Sequence, residues 1–94
     1  MYVIRNVFIA KPGSAGKLAA QLKQAVTDFK MPNARVLTDV TGGFNTVVME
    51  HSAESLAEIE ERMKEIMGSQ LYKERMAGYT EHWTTGTREI LRVN

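Results

Sequence analysis

Two different periods of hydrophobic residues alternate along this chain, and their order restricts the fold more than any other feature of the sequence. Branched and aromatic residues are concentrated in four segments, at residues 3–10, 34–40, 44–49 and 83–93. Apolar residues at three- and four-residue spacing occupy two more, at residues 14–30 and 52–68. The first kind predicts strands and the second predicts amphipathic helices, so the order is β-α-β-β-α-β. Ser52 precedes the apolar stripe of the second helix, and Glu54 is predicted to lie in the first turn of that helix. A further short helix is predicted over residues 70–79.

Residues that interrupt strands and helices lie between these segments. Pro12 follows the first predicted strand, and Pro32 follows the first predicted helix. The pair Gly42-Gly43 separates the second and third strands and is typical of a β-hairpin. Two right-handed crossovers then place the first and third strands in the centre of the sheet, with both helices on one face. We therefore expect one α+β domain over residues 1–94, a ferredoxin-like βαββαβ fold with a four-stranded antiparallel sheet.

The predicted central strands carry large apolar residues on both faces. Neighbouring residues of a strand point to opposite sides, so Val3, Val7 and Ile9 should face one way. Ile4 and Phe8 should face the other way, and the third strand shows the same two-sided pattern. Two amphipathic helices cover only one face, so the other should pack against something outside the chain. We expect a homodimer, since an identical chain is the simplest partner; alternatively, the last helix and the C-terminal residues cover that face.

Composition and charge exclude several classes of function. The chain has 12 Lys and Arg residues against 11 Asp and Glu residues, a net charge of +1, so we expect neither nucleic acid nor a membrane as partner. It contains no cysteine, which excludes disulfides, thiolate catalysis and cysteine-ligated metal sites. Arg5 interrupts the first apolar run, which therefore resembles neither a signal sequence nor a membrane-spanning helix, and we expect a cytoplasmic protein.

Two histidines are the candidate catalytic residues. His51 and His82 are the only imidazoles of the chain, and each lies next to a predicted strand. An imidazole can act as a general acid or base, although structural histidines are common at such partly exposed positions. Their spacing matches no metal-binding pattern, and metal sites usually need three protein ligands, so we expect no metal and no cofactor.

Polar and aromatic residues among apolar neighbours are the candidate ligand-binding residues. Asn6 and Asn45 are predicted to lie within strands, where a buried amide must find a hydrogen-bond partner. One of them should face any cavity between the helices and the sheet; alternatively, the two amides bond to each other. Aromatic residues should complete this site, or else simply pack in the core: Phe8, Tyr72, Tyr79 and Trp83. We expect such a site inside the subunit rather than in the dimer interface.

Three segments of the chain carry a family resemblance. They are Lys11-Pro12-Gly13 at the end of the first strand, the helical region running into Leu71-Tyr72-Lys73-Glu74-Arg75, and the terminal segment Trp83–Leu91. Together they resemble NIPSNAP-type domains of the dimeric α/β-barrel superfamily, over nearly the full chain. The resemblance implies two ferredoxin-like subunits that pack sheet to sheet, with the helices outside. It implies little chemistry, although other members of that superfamily include cofactor-independent antibiotic-biosynthesis monooxygenases and haem-binding degrading enzymes.

Two functions from different classes follow from these observations. The first is a small-molecule-binding or interaction module of unassigned role. The second is a cofactor-independent monooxygenase-like enzyme that acts on a phenolic or polycyclic small molecule. In the second, His82 or His51 would accept a proton, and Asn6 or Asn45 would orient the substrate. A deep apolar pocket on which a His and an Asn converge would favour the enzyme, whereas a filled interior would favour the module.

Overall fold

Four antiparallel strands form a single sheet in this computed structural model, which describes residues 1–94. The strands and helices occur in the predicted order, with a short 3₁₀ helix before the last strand. They are β1 Tyr2–Ala10, α1 Ala15–Asp28, β2 Arg35–Thr38, β3 Thr46–Ala53, α2 Leu56–Met67, α3 Gln70–Arg75, the 3₁₀ helix Tyr79–His82 and β4 Trp83–Arg92. None of the helices has both the length and the apolar composition that crossing a membrane requires.

The strand order β2-β3-β1-β4 is the one expected for a split βαβ arrangement. β1 pairs with β3 on one side and with β4 on the other, and β2 pairs with β3. The predicted α+β class with a ferredoxin-like sheet is therefore confirmed. In this register Asn6 of β1 lies opposite Met49 of β3 and opposite Arg88 of β4, so the polar groups of β1 and β4 lie side by side.

The hairpin between β2 and β3 differs from the prediction. β3 spans Thr46–Ala53, so it begins and ends later than the sequence pattern predicted. Phe44 is 85% exposed in the turn, and Asn45 has a left-handed backbone with φ of 61°. The Asp39 side chain closes the turn by accepting a hydrogen bond from the Thr46 backbone N–H at 2.8 Å. Asn45 is thus a turn residue rather than a strand residue, at a backbone conformation that Asn adopts more readily than most residues.

The start of α2 also differs from the prediction. Ser52 belongs to β3, and the N-cap of the helix is Ser55. Ser55 Oγ accepts a hydrogen bond from the Glu58 backbone N–H at 3.1 Å, and the Glu58 carboxylate accepts one from the Glu54 backbone N–H at 2.7 Å. These two side chains satisfy backbone donors that the helix itself leaves without partners, and this fixes where α2 begins.

The pleat of β1 divides its side chains between two environments. Ile4 and Ala10 are buried on the side of the helices, and Asn6 lies on that side too. Val7 and Ile9 point to the opposite face of the sheet, which we call the open face. The open face is not covered by the last helix, because α3 packs against α1 and α2 on the other side of the sheet.

The hydrophobic core consists of two separate clusters on the helical side of the sheet. The larger cluster is formed by Ala10, Leu18, Leu22 and Val47. The smaller cluster is formed by Ile4, Ala53 and Ile59. Only 13 of the 94 residues are buried, so neither cluster is large enough to fill the space between the helices and the sheet.

Replacing Leu18 with alanine should lower the free energy of unfolding by about 2–4 kcal/mol, because this side chain is fully buried in the larger cluster. Leu56→Ala is the matched control. Leu56 is 56% exposed at the start of α2, so its truncation should change the free energy by about 0.5 kcal/mol or less. Urea unfolding followed by circular dichroism measures both values, and equal losses in the two variants would contradict the assignment of Leu18 to the core.

Candidate functional site

A cavity of about 100 Å³, partly open to solvent, lies between the sheet and the helices. Its wall includes Leu22 of the larger core cluster and Met63, which packs against the smaller one, so the cavity occupies the gap between them. The sheet contributes residues from β1, β3 and β4, and all three helices contribute to the opposite wall or its margin. Of the 14 residues that line the cavity, 12 are hydrophobic, so its interior is suited to an apolar group.

Methionines form much of this apolar wall. Five of the six methionines of the chain line the cavity, and they come from β3, α2 and the segments after α1 and α3: Met31, Met49, Met63, Met67 and Met76. A methionine side chain is unbranched, has three rotatable bonds and is easily polarised, so it adapts to irregular shapes. The wall is therefore deformable, unlike a wall of branched side chains.

The two remaining lining residues, Asn6 and Arg88, form what we call the polar corner. They are paired across β1 and β4, and the Arg88 Nε–H donates a hydrogen bond to Asn6 Oδ1 at 2.8 Å. Asn6 is only 7% exposed, whereas Arg88 is exposed to solvent. The polar corner thus extends from the interior of the cavity to its mouth.

The hydrogen bond within the polar corner fixes the orientation of the Asn6 amide. An arginine N–H can only donate, so the Asn6 atom that it contacts must be the oxygen. The Asn6 amide nitrogen and the terminal Nη groups of Arg88 form no hydrogen bond within the chain, and no ion pair includes Arg88. The groups that remain for a ligand are therefore donors, and one of them is positively charged.

Two tyrosines lie next to the polar corner in the cavity wall. Burial and the neighbouring Tyr79 raise the pKa of Tyr72, while the positive charge of Arg88 acts in the opposite direction. The Tyr72 phenol is therefore protonated at neutral pH and can donate a hydrogen bond. The Tyr79 ring meets Phe8 edge to face, with 6.5 Å between ring centres, and Tyr72 lies 6.4 Å from Phe29. These aromatic contacts hold both phenol rings in place.

Four of the eight predicted site residues line the cavity, namely Asn6, Phe8, Tyr72 and Tyr79. The other four do not line it, namely Asn45, His51, His82 and Trp83. The cavity itself lies where the sequence placed the site, inside the subunit between the sheet and the helices. The structure thus brings together one of the two asparagines and three of the four aromatic residues.

The residues outside the cavity have other surroundings. Trp83 packs against Phe8 and Tyr79, with 5.4 and 6.1 Å between ring centres, and belongs to the margin of the larger core cluster. The Asn45 carbonyl oxygen, in the hairpin turn, accepts a hydrogen bond from the backbone N–H of Ala10 at 2.8 Å. His82 ends the 3₁₀ helix, and its backbone carbonyl accepts a hydrogen bond from the chain just after β1.

His51 is a buried residue of β3, only 1% exposed, on the helical side of the sheet. Arg62 Nη1 lies 3.0 Å from His51 Nδ1, and since a guanidinium only donates, Nδ1 accepts and the ring proton is on Nε2. Burial, and after it the positive charges of Arg62 and Arg88, lowers the pKa of His51 to about 4. The imidazole is therefore neutral at neutral pH, and its Nε2 has no partner within the chain.

The arrangement that would favour an enzyme, with a histidine and an asparagine converging on one pocket, does not occur in this cavity. Asn6 lines the cavity, but no imidazole and no carboxylate lines it, so a proton acceptor is missing from the wall. Nowhere in the chain are three His, Asp or Glu side chains grouped so that they could hold a metal ion. The arrangement can therefore enclose a small apolar group and offer hydrogen-bond donors to one end of it.

Sequence reasoning missed Arg88. On the helical side of β4, inward positions alternate as Gly86, Arg88 and Ile90. A charged residue at a central inward position of a strand is unusual, because inward positions over a core are ordinarily apolar. That departure from the alternation is the signal that could have identified Arg88 as a site residue.

Comparison with known proteins identifies the fold. No family model and no curated protein matches the sequence. A structure of an uncharacterised NIPSNAP domain protein from Burkholderia xenovorans has a TM-score of 0.86 at 10% identity, covering 100% of this chain and 95% of that one. A NIPSNAP family protein from Agrobacterium tumefaciens has a TM-score of 0.86 at 12% identity, covering 99% and 92%. An antibiotic biosynthesis monooxygenase has a TM-score of 0.75 at 10% identity, covering 100% and 99%.

These likenesses confirm, at the level of the fold, the resemblance to NIPSNAP-type domains that the sequence indicated. The chain has a NIPSNAP-like fold, which it also shares with a monooxygenase. Identities of 10 to 12% relate the backbones and carry no activity from one protein to another.

Lowering the pH from 7 to 5 should destabilise the parent protein by about 2 kcal/mol through His51 alone. The unfolded state binds a proton on this residue near pH 6.5, whereas the folded state binds it only near pH 4, so stability falls as the pH falls through this window. His51→Gln should lack this loss, because glutamine stays neutral and keeps an oxygen that can accept from Arg62. Urea unfolding at the two pH values measures the difference.

The control for this experiment is His82→Gln, which removes the other imidazole and should retain the loss seen in the parent. Staying at or above pH 5 keeps the buried Glu50 carboxylate charged, since hydrogen bonds from Arg35 and Arg5 lower its pKa. If His51→Gln lost as much stability as the parent between pH 7 and 5, the imidazole would not be the buried neutral group described above.

Proposed function

We propose that this protein is a cytoplasmic homodimer that binds a small molecule in the internal cavity of each subunit. The observation that carries this proposal is the cavity wall, in which 12 hydrophobic residues surround an interior that ends in a single polar corner. An apolar enclosure with a few convergent polar groups is the usual form of a small-molecule site. The apolar residues of such a wall would bind a ligand by burying its apolar surface, and the polar corner would orient it.

The cavity also couples binding to stability. Protein interiors are normally close-packed, so a gap lined by apolar side chains leaves contacts that a ligand can make. A ligand that binds only the folded state raises the free energy of unfolding.

The homodimer is supported by the surface that the single chain leaves exposed. Its accessible surface is 6050 Å², whereas about 5,500 Å² is expected for a folded monomer of 10.6 kDa. Three large apolar residues of the open face contribute to this surface, with exposures of 37 to 41%: Ile9, Leu37 and Leu91. A second copy packed sheet to sheet would cover them.

Charged residues of the open face are compatible with this packing because they neutralise one another. The Glu50 carboxylate accepts hydrogen bonds from Arg5 Nε at 2.6 Å and from Arg35 Nε at 2.8 Å, and Arg5 also lies 3.7 Å from Glu89. Two positive and two negative charges cancel. The face can therefore be covered by a partner without burying an unpaired charge.

A second candidate function, a cofactor-independent monooxygenase, is favoured by the likeness to an antibiotic biosynthesis monooxygenase. The polar corner would hold a phenolate, and the substrate would be a single-ring phenol rather than a polycyclic compound, since the cavity holds only about 100 Å³. No imidazole or carboxylate lines the cavity to accept the phenol proton, which places this candidate second. Oxygen uptake with phenol, above the rate without protein, would favour the enzyme.

Toluene, a neutral single-ring probe, should enter the cavity and shift the ¹³C-methyl NMR signals of the five methionines that line it. Met1 provides an internal control, because it is 51% exposed and lies outside the cavity. Ala25→Leu should fill part of the cavity, since Ala25 is 2% exposed in its wall, and should abolish the shifts. Toluene shifts that are absent from the parent, or unchanged in Ala25→Leu, would refute a ligand site here.

Replacing Val7 with lysine should convert the dimer to a monomer or unfold it, because Val7 lies in the centre of the open face between β3 and β4. Ala20→Lys is the matched control. It adds the same charge at an exposed position of α1 and should leave the mass unchanged. Sedimentation at micromolar concentration measures this, and a stable 10.6 kDa monomer in the parent would overturn the homodimer.

A further inference from the structure

Arg88 differs from the other five arginines of the chain in its interaction partners. Four arginines of the chain form ion pairs with carboxylates, namely Arg5, Arg35, Arg62 and Arg75. Arg92 lies over the ring of Tyr2, with 5.7 Å between its guanidinium carbon and the ring centre. Arg88 is the one arginine that lines the cavity beneath the sheet, and its charge has no acidic partner in the chain.

The groups that Arg88 and Asn6 leave for a ligand are all donors. Arg88 Nε donates to Asn6 Oδ1, and this contact occupies the acceptor atom that turns toward the guanidinium. The Asn6 amide nitrogen and the two terminal Nη groups of Arg88 remain. The protonated Tyr72 phenol, whose pKa is raised by burial, lies close enough to Arg88 to feel its charge. A cationic ligand group would be repelled by the Arg88 charge and would find no carboxylate in this corner.

We infer that the ligand of the cavity is a small apolar carboxylate, with its anionic group bound at the polar corner and its apolar body between the methionines. The inference rests on the proposed function and adds the chemical class of the ligand. A planar carboxylate presents two acceptor oxygens, which match the two terminal N–H groups of a guanidinium in a bidentate pair. The negative charge of the ligand takes the place of the acidic partner that Arg88 lacks.

The size of the cavity limits the apolar body of this carboxylate. An engineered cavity of about 150 Å³ in another protein holds one benzene ring. The cavity described here, at about 100 Å³, can accept one ring or a short branched chain when its methionines adjust. The anionic group lies at the exposed end of the polar corner, so its own volume is not part of that limit. Benzoate is therefore a suitable probe, and benzamide is its neutral counterpart of the same shape.

The test is a titration of the protein with benzoate and with benzamide, followed by the ¹³C-methyl signals of the methionines. Benzoate should bind the parent at least tenfold more tightly than benzamide, since it forms charge-assisted hydrogen bonds with Arg88. Arg88→Gln should reduce benzoate affinity to within about threefold of benzamide, whose affinity should change little. Arg88→Lys should keep part of the preference, because it keeps the charge but not the bidentate geometry.

Arg92→Gln is the matched control, since Arg92 is a cation on the same strand and the same side of the sheet as Arg88 but does not line the cavity. It should retain the full preference for benzoate, which separates a specific contact from a general loss of positive charge. Melting curves of the variants verify that each is folded.

The outcomes distinguish this inference from the function on which it rests. Equal affinities for benzoate and benzamide in the parent, or a preference that survives in Arg88→Gln, would overturn the carboxylate class. If toluene still shifted the methionine signals in that case, the cavity would remain a ligand site. If none of the three probes shifted them, the proposed function itself would fail. A preference present in the parent and in Arg92→Gln but lost in Arg88→Gln supports the inference.

Discussion

β1 is hydrogen-bonded to a strand on each side, and the alternation of its side chains determines what lies on either face of the sheet. Residues such as Ile4 contact the helices, whereas Arg5 and Val7 lie on the open face. A shift of the register by one residue would carry Arg5 into the apolar interior, away from Glu50, and Ile4 to the surface. The cost of burying an unpaired guanidinium therefore fixes the register, and the register fixes both the cavity and the proposed dimer interface.

The order of strands and helices could be predicted from the sequence because hydrophobic periodicity is a local property. The same alternation placed Asn6 and Phe8 on one side of β1, where the cavity was found. Asn45 could not be placed by such reasoning, since the turn geometry there depends on the Asp39 side chain and on a left-handed backbone. A short apolar stretch around Phe44 resembled a strand, but tertiary packing left that residue exposed.

The start of α2 could be read from the local sequence, whereas the contact between Asn6 and Arg88 could not. The spacing of Ser55 and Glu58 is a capping-box pattern, so the true start of α2 was already present in the sequence, after Glu54 rather than before it. The contact between Asn6 and Arg88 joins residues 82 positions apart. It exists only because two strands align in one register, and no local pattern in either strand specifies that alignment. Half of the residues predicted for the site therefore line the cavity, whereas its charged residue, Arg88, could not be predicted from the sequence.

The methionines of the cavity wall and the polar corner differ in rigidity, so under the proposed function they would limit different properties of a ligand. The corner is tied to the backbone pairing of β1 and β4, so its position is rigid, and under the proposed function it would select ligands by charge. The methionine side chains of the wall are not held in this way, because each can change its rotamer to fit the shape of a bound group. Exchanges of Met63 or Met67 for leucine or isoleucine would resize the interior without disturbing the sheet. If the proposed function holds, single conservative replacements during divergence would change the shape of the ligand, while the sign of the bound charge would stay the same.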